Sequence, residues 1–194
     1  MKHYASSLYE EYSAIIAINA VLYLPNKLPL DDYAMQIEID KIDLRILSEL
    51  QHNGRLSNVA LSKRVNLSPT PCLERVKRLQ NSGYIKGYHA ELDADKLKAG
   101  LLVFVQVSLD KTTADIFSRF RSALSHHDEV MECHMVAGGF DYLLKLRFAD
   151  MRRYREFLGR ELTALPGIMQ THTYIVMEEV KMSTAIPLPQ AAGN

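Results

Sequence analysis

A chain of 194 residues has room for one large domain or two small ones, and an apolar share of 47% excludes disorder as the default state. Its 23 basic residues cancel its 23 acidic ones, but unevenly along the chain. Residues 36–90 carry nine Lys/Arg and five Asp/Glu, a net of +4, whereas residues 91–194 carry twelve and fourteen, a net of −2, the pattern of a polyanion-binding module ahead of a mildly acidic body.

Residues 1–38 differ from the rest of the chain. They hold a tyrosine-rich start, an unpatterned apolar run, Pro25, Pro29 and the acidic pair Asp31-Asp32, with Met35 just before the first patterned helix. They read as an N-terminal arm or as a misassigned start. The longest apolar stretch, residues 14–24, contains Asn19 and falls short of the ~20 residues a membrane-spanning helix needs. No signal peptide or membrane segment is expected.

From Ile42 the period is helical, with Ile42, Ile46, Leu47 and Leu50 on one face. Asp40 can cap this helix and Asn53-Gly54 can end it in the left-handed region. Ser57 opens a second helix, with Val59, Ala60, Leu61 and Val65 as its apolar positions and Asn66 as a left-handed stop. Ser68 caps a third, where Pro69 falls at the first helical position and costs no hydrogen bond. Its expected buried stripe is Leu73, Val76 and Leu79, and Gly83 closes it. Three short helices with a tight turn between the last two describe a helix-turn-helix. Residues 84–92 read as a short extended segment.

The period then changes. Residues 101–109 are β-branched and apolar and read as a buried strand. Ile116, Phe117, Phe120, Ala123 and Leu124 make a helical face. Residues 130–137 read as a strand, Gly138-Gly139 as a turn and residues 141–148 as an alternating strand. Met151, Tyr154, Leu158, Leu162 and Leu165 form a second helical stripe, broken by Pro166-Gly167, and residues 168–177 are the last strand. The order β-α-β-β-α-β is the ferredoxin-like split motif, so the fold class is α+β. With both helices on one sheet face, the other face needs a cover, which predicts dimerisation through the sheets.

On the third helix Thr70, Glu74, Arg75, Lys77 and Arg78 lie away from the expected stripe. A helix in the major groove can set Arg75 and Arg78 on guanine edges or phosphates, with Ser68 and Thr70 at its N-terminal turn near the backbone. Asn58, Pro71 and Lys77 complete the expected DNA-binding set, and Lys63, Arg64 and Lys86 are further phosphate contacts. The same basic residues also fit a plainly solvated helix face.

Residues 39–90, which include IDLRILSELQHNGRLSNVALSKRVNLSPTPCLERVKRLQNSGYIKGY at 42–88, resemble the winged helix-turn-helix of the Lrp/AsnC family. ECHMVAGGFDYLLKLR and TYIVMEEVK resemble that family's ligand-responsive domain. The resemblance implies a DNA-binding domain at 39–90, a linker at 91–100, a ligand-responsive oligomerisation domain at 101–182 and a tail at 183–194. It implies an amino-acid-responsive regulator of transcription, activator or repressor, that binds double-stranded DNA as dimers assembled into octamers or larger rings in the cytoplasm, at the nucleoid. No cofactor or metal is expected beyond the effector, a free amino acid, with leucine foremost.

The effector cleft implied by the family lies between neighbouring dimers. It falls here on Met135, Ala137, Gly138, Gly139, Phe140 and Asp141, with Met151, Tyr174, Ile175 and Val176. Glycines at 138 and 139 would let backbone approach a ligand and offer N–H groups to its carboxylate, Asp141 would attract its ammonium, and Met135 and Val176 would suit an aliphatic side chain. The same glycines and Asp141 also fit a simple hairpin turn. One departure stands out: the family commonly has an acidic residue where this chain has Gly139.

Three rivals compete with this reading. An enzyme would need His126, His127, His134, His172, Cys133 or Asp141 for acid–base or thiol chemistry, but no Gly-rich phosphate loop, nucleophile elbow or HExxH occurs. Cys133 and His134, adjacent on a predicted strand, point to opposite faces and make no dyad. A metal-responsive regulator would use the histidines, of which His126-His127 read as a solvated pair. Cys72 and Cys133, the only cysteines, offer no zinc or disulfide framework and read as reduced thiols. The third rival is a purely architectural DNA binder.

Overall fold

The computed structural model describes residues 38–189, so the expected arm or misassigned start, save Glu38, and the last five residues lie outside the described residues. The chain divides into two compact units, one reaching to Glu91 and resuming at Ser183, the other Leu92–Met182.

In the first unit, helix α1 (Lys41–His52) opens on a capping box. The Asp40 carboxylate accepts from the N–H groups of Ile42 and Asp43, and the Asp43 carboxylate accepts back from Asp40 N. Three N–H groups at the helix start are thus satisfied, those of Asp40 and Asp43 reciprocally. The helix does not end in the left-handed region: Asn53 is extended at φ −149° and Gly54 is not at positive φ. Gly54 instead sits close under Tyr88, whose exposed ring would stand 3.0 Å from a Cβ there and would have to shift slightly to admit one.

Ser57 caps α2 (Asn58–Arg64) through Ala60 N, and Asn66 turns the chain at φ 58°. Helix α3 (Pro69–Asn81) follows and stops at Gly83, φ 77°. The core is Ile46, Leu47, Leu61, Val65, Cys72 and Leu79. Val59 and Leu73, expected inside, are 54% and 42% exposed. The inward stripe of α3 runs through Cys72, Val76 and Leu79, spaced i, i+4, i+7, which rotates Leu73 onto the flank.

The segment after Gly83, expected to be extended, forms no strand among the described residues; Ile85 N donates to Leu79 O and folds it back on α3. The tail also belongs to this unit. Leu188 packs against the core, and Gln51 exchanges two hydrogen bonds with Ile186: Nε2 donates to its carbonyl at 3.2 Å, and its N–H donates to Oε1 at 2.8 Å.

The second unit runs β1 (Leu101–Leu109), α4 (Ala114–Leu124), β2 (Val130–Met135), β3 (Tyr142–Phe148), α5 (Met151–Arg160), a 3-10 turn (Leu162–Ala164) and β4 (Ile168–Ile175). The antiparallel sheet has the order β2-β3-β1-β4, the expected ferredoxin-like arrangement. Alternate residues Val103, Val105, Val107 and Leu109 of β1 and Tyr142, Leu144, Leu146 and Phe148 of β3 pack against Phe117, Phe120 and Leu124 of α4 and Tyr154 and Phe157 of α5. The opposite face shows Phe104, Gln106, Leu143, Lys145 and Arg147, all half-buried, with Glu132, His134, His172 and Tyr174 exposed. Gly167 sits at φ 80°, and a Cβ there would meet the Ile116 side chain at 2.6 Å.

Candidate nucleic-acid interface and effector loop

The turn between α2 and α3 is clamped by Asn58, whose Nδ2 donates to Pro69 O at 2.7 Å. Ser68 occupies the N-cap of α3 but makes no side-chain cap bond. Because Pro69 and Pro71 lack N–H groups, Thr70 is the one donor among the first three helical residues. Ser68 and Thr70 are exposed, and Pro71 is half-buried.

Arg75 and Arg78 are drawn away from the outward face. Arg75 Nη1 donates to Asp40 Oδ2 at 2.7 Å and to Asp43 Oδ1 at 2.9 Å, and Arg78 Nη2 to Asp43 Oδ2 at 2.5 Å. Asp43 is fully buried, so these guanidiniums neutralise a charge that would otherwise be costly to leave inside. The Asp43 and Asp40 carboxylates raise the Arg75 pKa. Burial alone would push the Asp40 carboxyl up, but the N–H of Asp43 and the Arg75 guanidinium outweigh it and leave it below its ordinary value. Both arginines therefore tie α3 to the capping box of α1. The outward face of α3 is left to Thr70, Glu74 and Lys77, exposed and spaced i, i+4, i+7.

In the second unit, Met135 ends β2 and is exposed, as are Ala137, Gly138 and Gly139, while Phe140 and Asp141 are half-buried. Val136 N donates to Asp141 O, and Asp141 N to Val107 O, closing the loop. Neither glycine is at positive φ, and a Cβ on either would meet nothing within 4 Å, so the loop's own fold does not demand glycine there. The Asp141 carboxylate is partly committed: Oδ2 accepts from Leu109 N at 2.7 Å, at the register shift of β1.

Met151, Tyr174, Ile175 and Val176 stand elsewhere. Tyr142, next to Asp141, pairs with Met135 and Val107 at one end of the sheet. Phe148, Ile175 and Val176 lie at the other end, where Ile175 pairs with Val103 and Val176 N donates to Leu102 O, and Met151 opens α5 just beyond β3. Across the registers Tyr174 is level with Lys145, Ile175 with Leu146 and Val176 with Arg147, on a strand two places from β3. That is three to five residues along β3 from Tyr142, or about 10–17 Å at ~3.4 Å per residue, and Met151 lies farther still. One chain does not bring them together.

A cavity of about 400 Å³ lies between α4 and β2, lined by Leu124, Val130, Met131, Cys133, Met135 and Arg121 among others. Met131, Cys133 and Met135 alternate on β2, and this period of two, plain in the residue order, is the signal by which sequence reasoning could have found the cavity and missed it. Burial pushes the Cys133 thiol up to about 11, with Arg121 opposing, so it is a neutral thiol at neutral pH. Cys133 pairs with Leu144 and His134 with Leu143, on opposite faces, and His134 instead meets Glu132 at 3.0 Å.

The histidine pair is not uniformly solvated. His126 is exposed, but His127 is half-buried, edge-on to Phe157 and 3.2 Å from Glu161. His127, Glu129 and Glu161 set three ligand-type atoms within 4.8 Å, but the Arg153 guanidinium already bridges both carboxylates, at 2.7 and 3.3 Å. No described helix is long and apolar enough to cross a membrane.

The winged helix-turn-helix DNA-binding family model matches residues 39–86, and the Lrp/AsnC ligand binding domain model matches residues 102–186. The leucine-responsive regulatory protein of Klebsiella pneumoniae is 55% identical over 149 residues, 77% of this chain and 91% of that protein. Its namesake in Escherichia coli K12 is 54% identical over the same shares. Among solved structures, a transcriptional regulator of Neisseria meningitidis in complex with L-Met is 37% identical with a TM-score of 0.74, covering 77% of this chain and 97% of that one. AsnC of E. coli is 25% identical with a TM-score of 0.70, covering 77% and 99%.

Proposed function

The chain belongs to the Lrp/AsnC family of transcriptional regulators, a family of regulators rather than enzymes, and we propose that it senses a free aliphatic amino acid, leucine or methionine, and alters its grip on DNA in response. The observation that carries this is the pairing of the two matched domains in one chain, with relatives aligned over 91% of their own length. The relatives are named for leucine and one structural neighbour holds L-Met. The protein works in the cytoplasm, on the nucleoid.

In the DNA-binding unit, Ser68, Thr70, Pro71 and Lys77 approach the duplex, and Asn58 fixes the turn that presents them. Arg75 and Arg78 hold α3 to α1 and reach DNA only where a phosphate competes with Asp43 for them. In the ligand-binding unit, the loop of Met135, Ala137, Gly138, Gly139, Phe140 and Asp141 takes the ammonium and carboxylate, and the cavity beside Met135 takes the side chain. Two methionines there suit ligands of varied shape. Met151, Tyr174, Ile175 and Val176 complete the site from a neighbouring copy, because within one chain they stand about 10 Å or more along the sheet from that loop. Dimers form through the open sheet face and assemble into octamers or larger. Effector binding then shifts assembly through its differential affinity for the two states.

The test is titration of the purified full chain with individual amino acids, read by light scattering and by binding to a duplex library at several salt concentrations. Leucine or methionine should change the mean mass and alter DNA affinity by about 5–150-fold, the usual span of allosteric coupling. Affinity should fall steeply with salt. Asp141→Ala should blunt the response with the fold intact. Mass and DNA affinity that ignore every amino acid would remove the sensor, and a protein that ignores all duplexes at low salt would remove the regulator.

A further inference from the structure

We propose that Glu74 is a specificity-determining residue whose carboxylate accepts a hydrogen bond from a base amino group in the major groove, that of cytosine. The inference rests on the DNA-binding function proposed for α3 and concerns which base that helix selects.

Position comes first. Glu74 shares the exposed face of α3 with Thr70 and Lys77, diametrically away from Cys72, Val76 and Leu79. Of the side chains on this face it is the middle one, and Thr70 and Lys77 flank it one turn away on either side.

Local partners do not claim it. Arg78 stands at i+4, the spacing at which a glutamate and a following cation pair on a helix surface. The Arg78 guanidinium is instead 2.5 Å from Asp43. Among the described residues the Glu74 carboxylate makes no hydrogen bond or ion pair, with Lys77 or any other group. The buried Asp43 thus leaves Glu74 free by capturing the arginine that would have neutralised it.

Electrostatics then restricts what such a carboxylate can do. Facing a polyanion, it weakens binding to every sequence unless a donor meets it. In the major groove, guanine offers acceptors at O6 and N7 and thymine offers O4, and all repel a carboxylate. The amino group of cytosine has an acceptor on one side only, O6 of its partner guanine, whereas that of adenine is flanked on both sides, by its own N7 and by O4 of its partner thymine. A carboxylate at the centre of the reading face therefore favours cytosine at one position of each half-site and rejects guanine and thymine there.

The experiment selects binding sites from a randomised duplex library with the full-length parent, Glu74→Ala and Glu74→Gln. Folding is checked by thermal unfolding, which an exposed substitution should leave unchanged. The parent should select a motif with cytosine at one position per half-site. Glu74→Ala should lose about ten-fold or more of the discrimination there, keep the rest of the motif, and bind non-specific duplex more tightly than the parent. Glu74→Gln should move the preference toward adenine, whose N6 and N7 match an amide. If Glu74→Ala gains affinity for all sequences equally and selects the parental motif, Glu74 is only a solvated charge and the proposal is overturned. If the parent binds no duplex, the regulator reading falls and this inference with it.

Discussion

The two units reach rigidity by different means. In the ligand-binding unit fifteen buried residues, all apolar or aromatic, interlock between a four-stranded sheet and two helices. Rings meet repeatedly: Phe148 with Phe157 at 5.2 Å and Tyr154 at 5.4 Å, Phe120 with Tyr142 at 4.8 Å. Among its described residues the DNA-binding unit buries only six in its core, and both buried polar residues of the described chain, Asp43 and Ser62, are there. Partly buried residues such as Ile42, Val76 and Leu188 extend this small core, but apolar contact is non-directional and sets helix angles loosely. A buried carboxylate with two arginines supplies direction that apolar contact lacks, since it binds only where its oxygens point. The unit that presents a surface to DNA is thus aimed by charge, and the ligand-binding unit is held by packing.

The largest effect is expected in the apolar core. Phe157 is fully buried between Phe148 and His127. Phe157→Ala should cost about 3–5 kcal/mol, from lost transfer energy and the cavity left behind. Hydrogen exchange resolved by residue should show amides of the ligand-binding unit opening sooner, with those of α1 to α3 unchanged. Equal acceleration in both units would mean that their stabilities are not separable in this way.

Next in size is Asp43. Asp43→Ala removes the acceptor for Arg75, Arg78 and the N–H of Asp40 together. The expected loss is about 3 kcal/mol, the low end for breaking a buried pair, because both arginines are partly open to water. Exchange should now rise in α1 and α3 alone, and NMR should report a changed angle between them. A variant that keeps α3 in register would show that apolar packing aims the helix without the charge.

Much of this organisation is legible in the sequence where its causes are local. Asp40 and Ser57 cap, Asn66 and Gly83 turn left-handed, and the alternation of residues 142–148 gives a strand with one buried face, all within a few residues of chain. Phase is harder. On α3 periodicity favours Leu73 for the stripe, yet Cys72 takes it; on α5 it favours Leu158 over Phe157, one residue away and fully buried. A shift of one residue turns a helical side chain by 100°, and apolarity alone does not settle which of two neighbours faces in. Least legible are long-range captures. Nothing near Arg75 and Arg78 signals that Asp43, more than thirty residues earlier, will take them, and the split of the proposed effector residues appears only once the strand registers are known.

The tail is the clearest such capture and gives the smallest predicted effect. Residues 183–189 have no apolar period and too many prolines for a helix, yet they return to the DNA-binding unit, where Gln51 pairs with Ile186 and Leu188 joins the core. What holds the tail is two hydrogen bonds, worth about 1 kcal/mol net each before the entropy of ordering the segment is set against them, and one half-buried leucine. Docking is therefore shallow, and removing residues 183–194 should cost this unit only about 1 kcal/mol, through lost cover on α1. Leu188→Ala should reproduce most of that loss and Gln51→Ala less, since a glutamine freed of Ile186 is resolvated at the surface. Chemical denaturation of the three variants, followed by exchange at α1 amides, orders them. Were Gln51→Ala the costlier of the two, the tail would be held by directed polar bonds as α3 is, and the charge-aimed character of this unit would extend beyond its three helices.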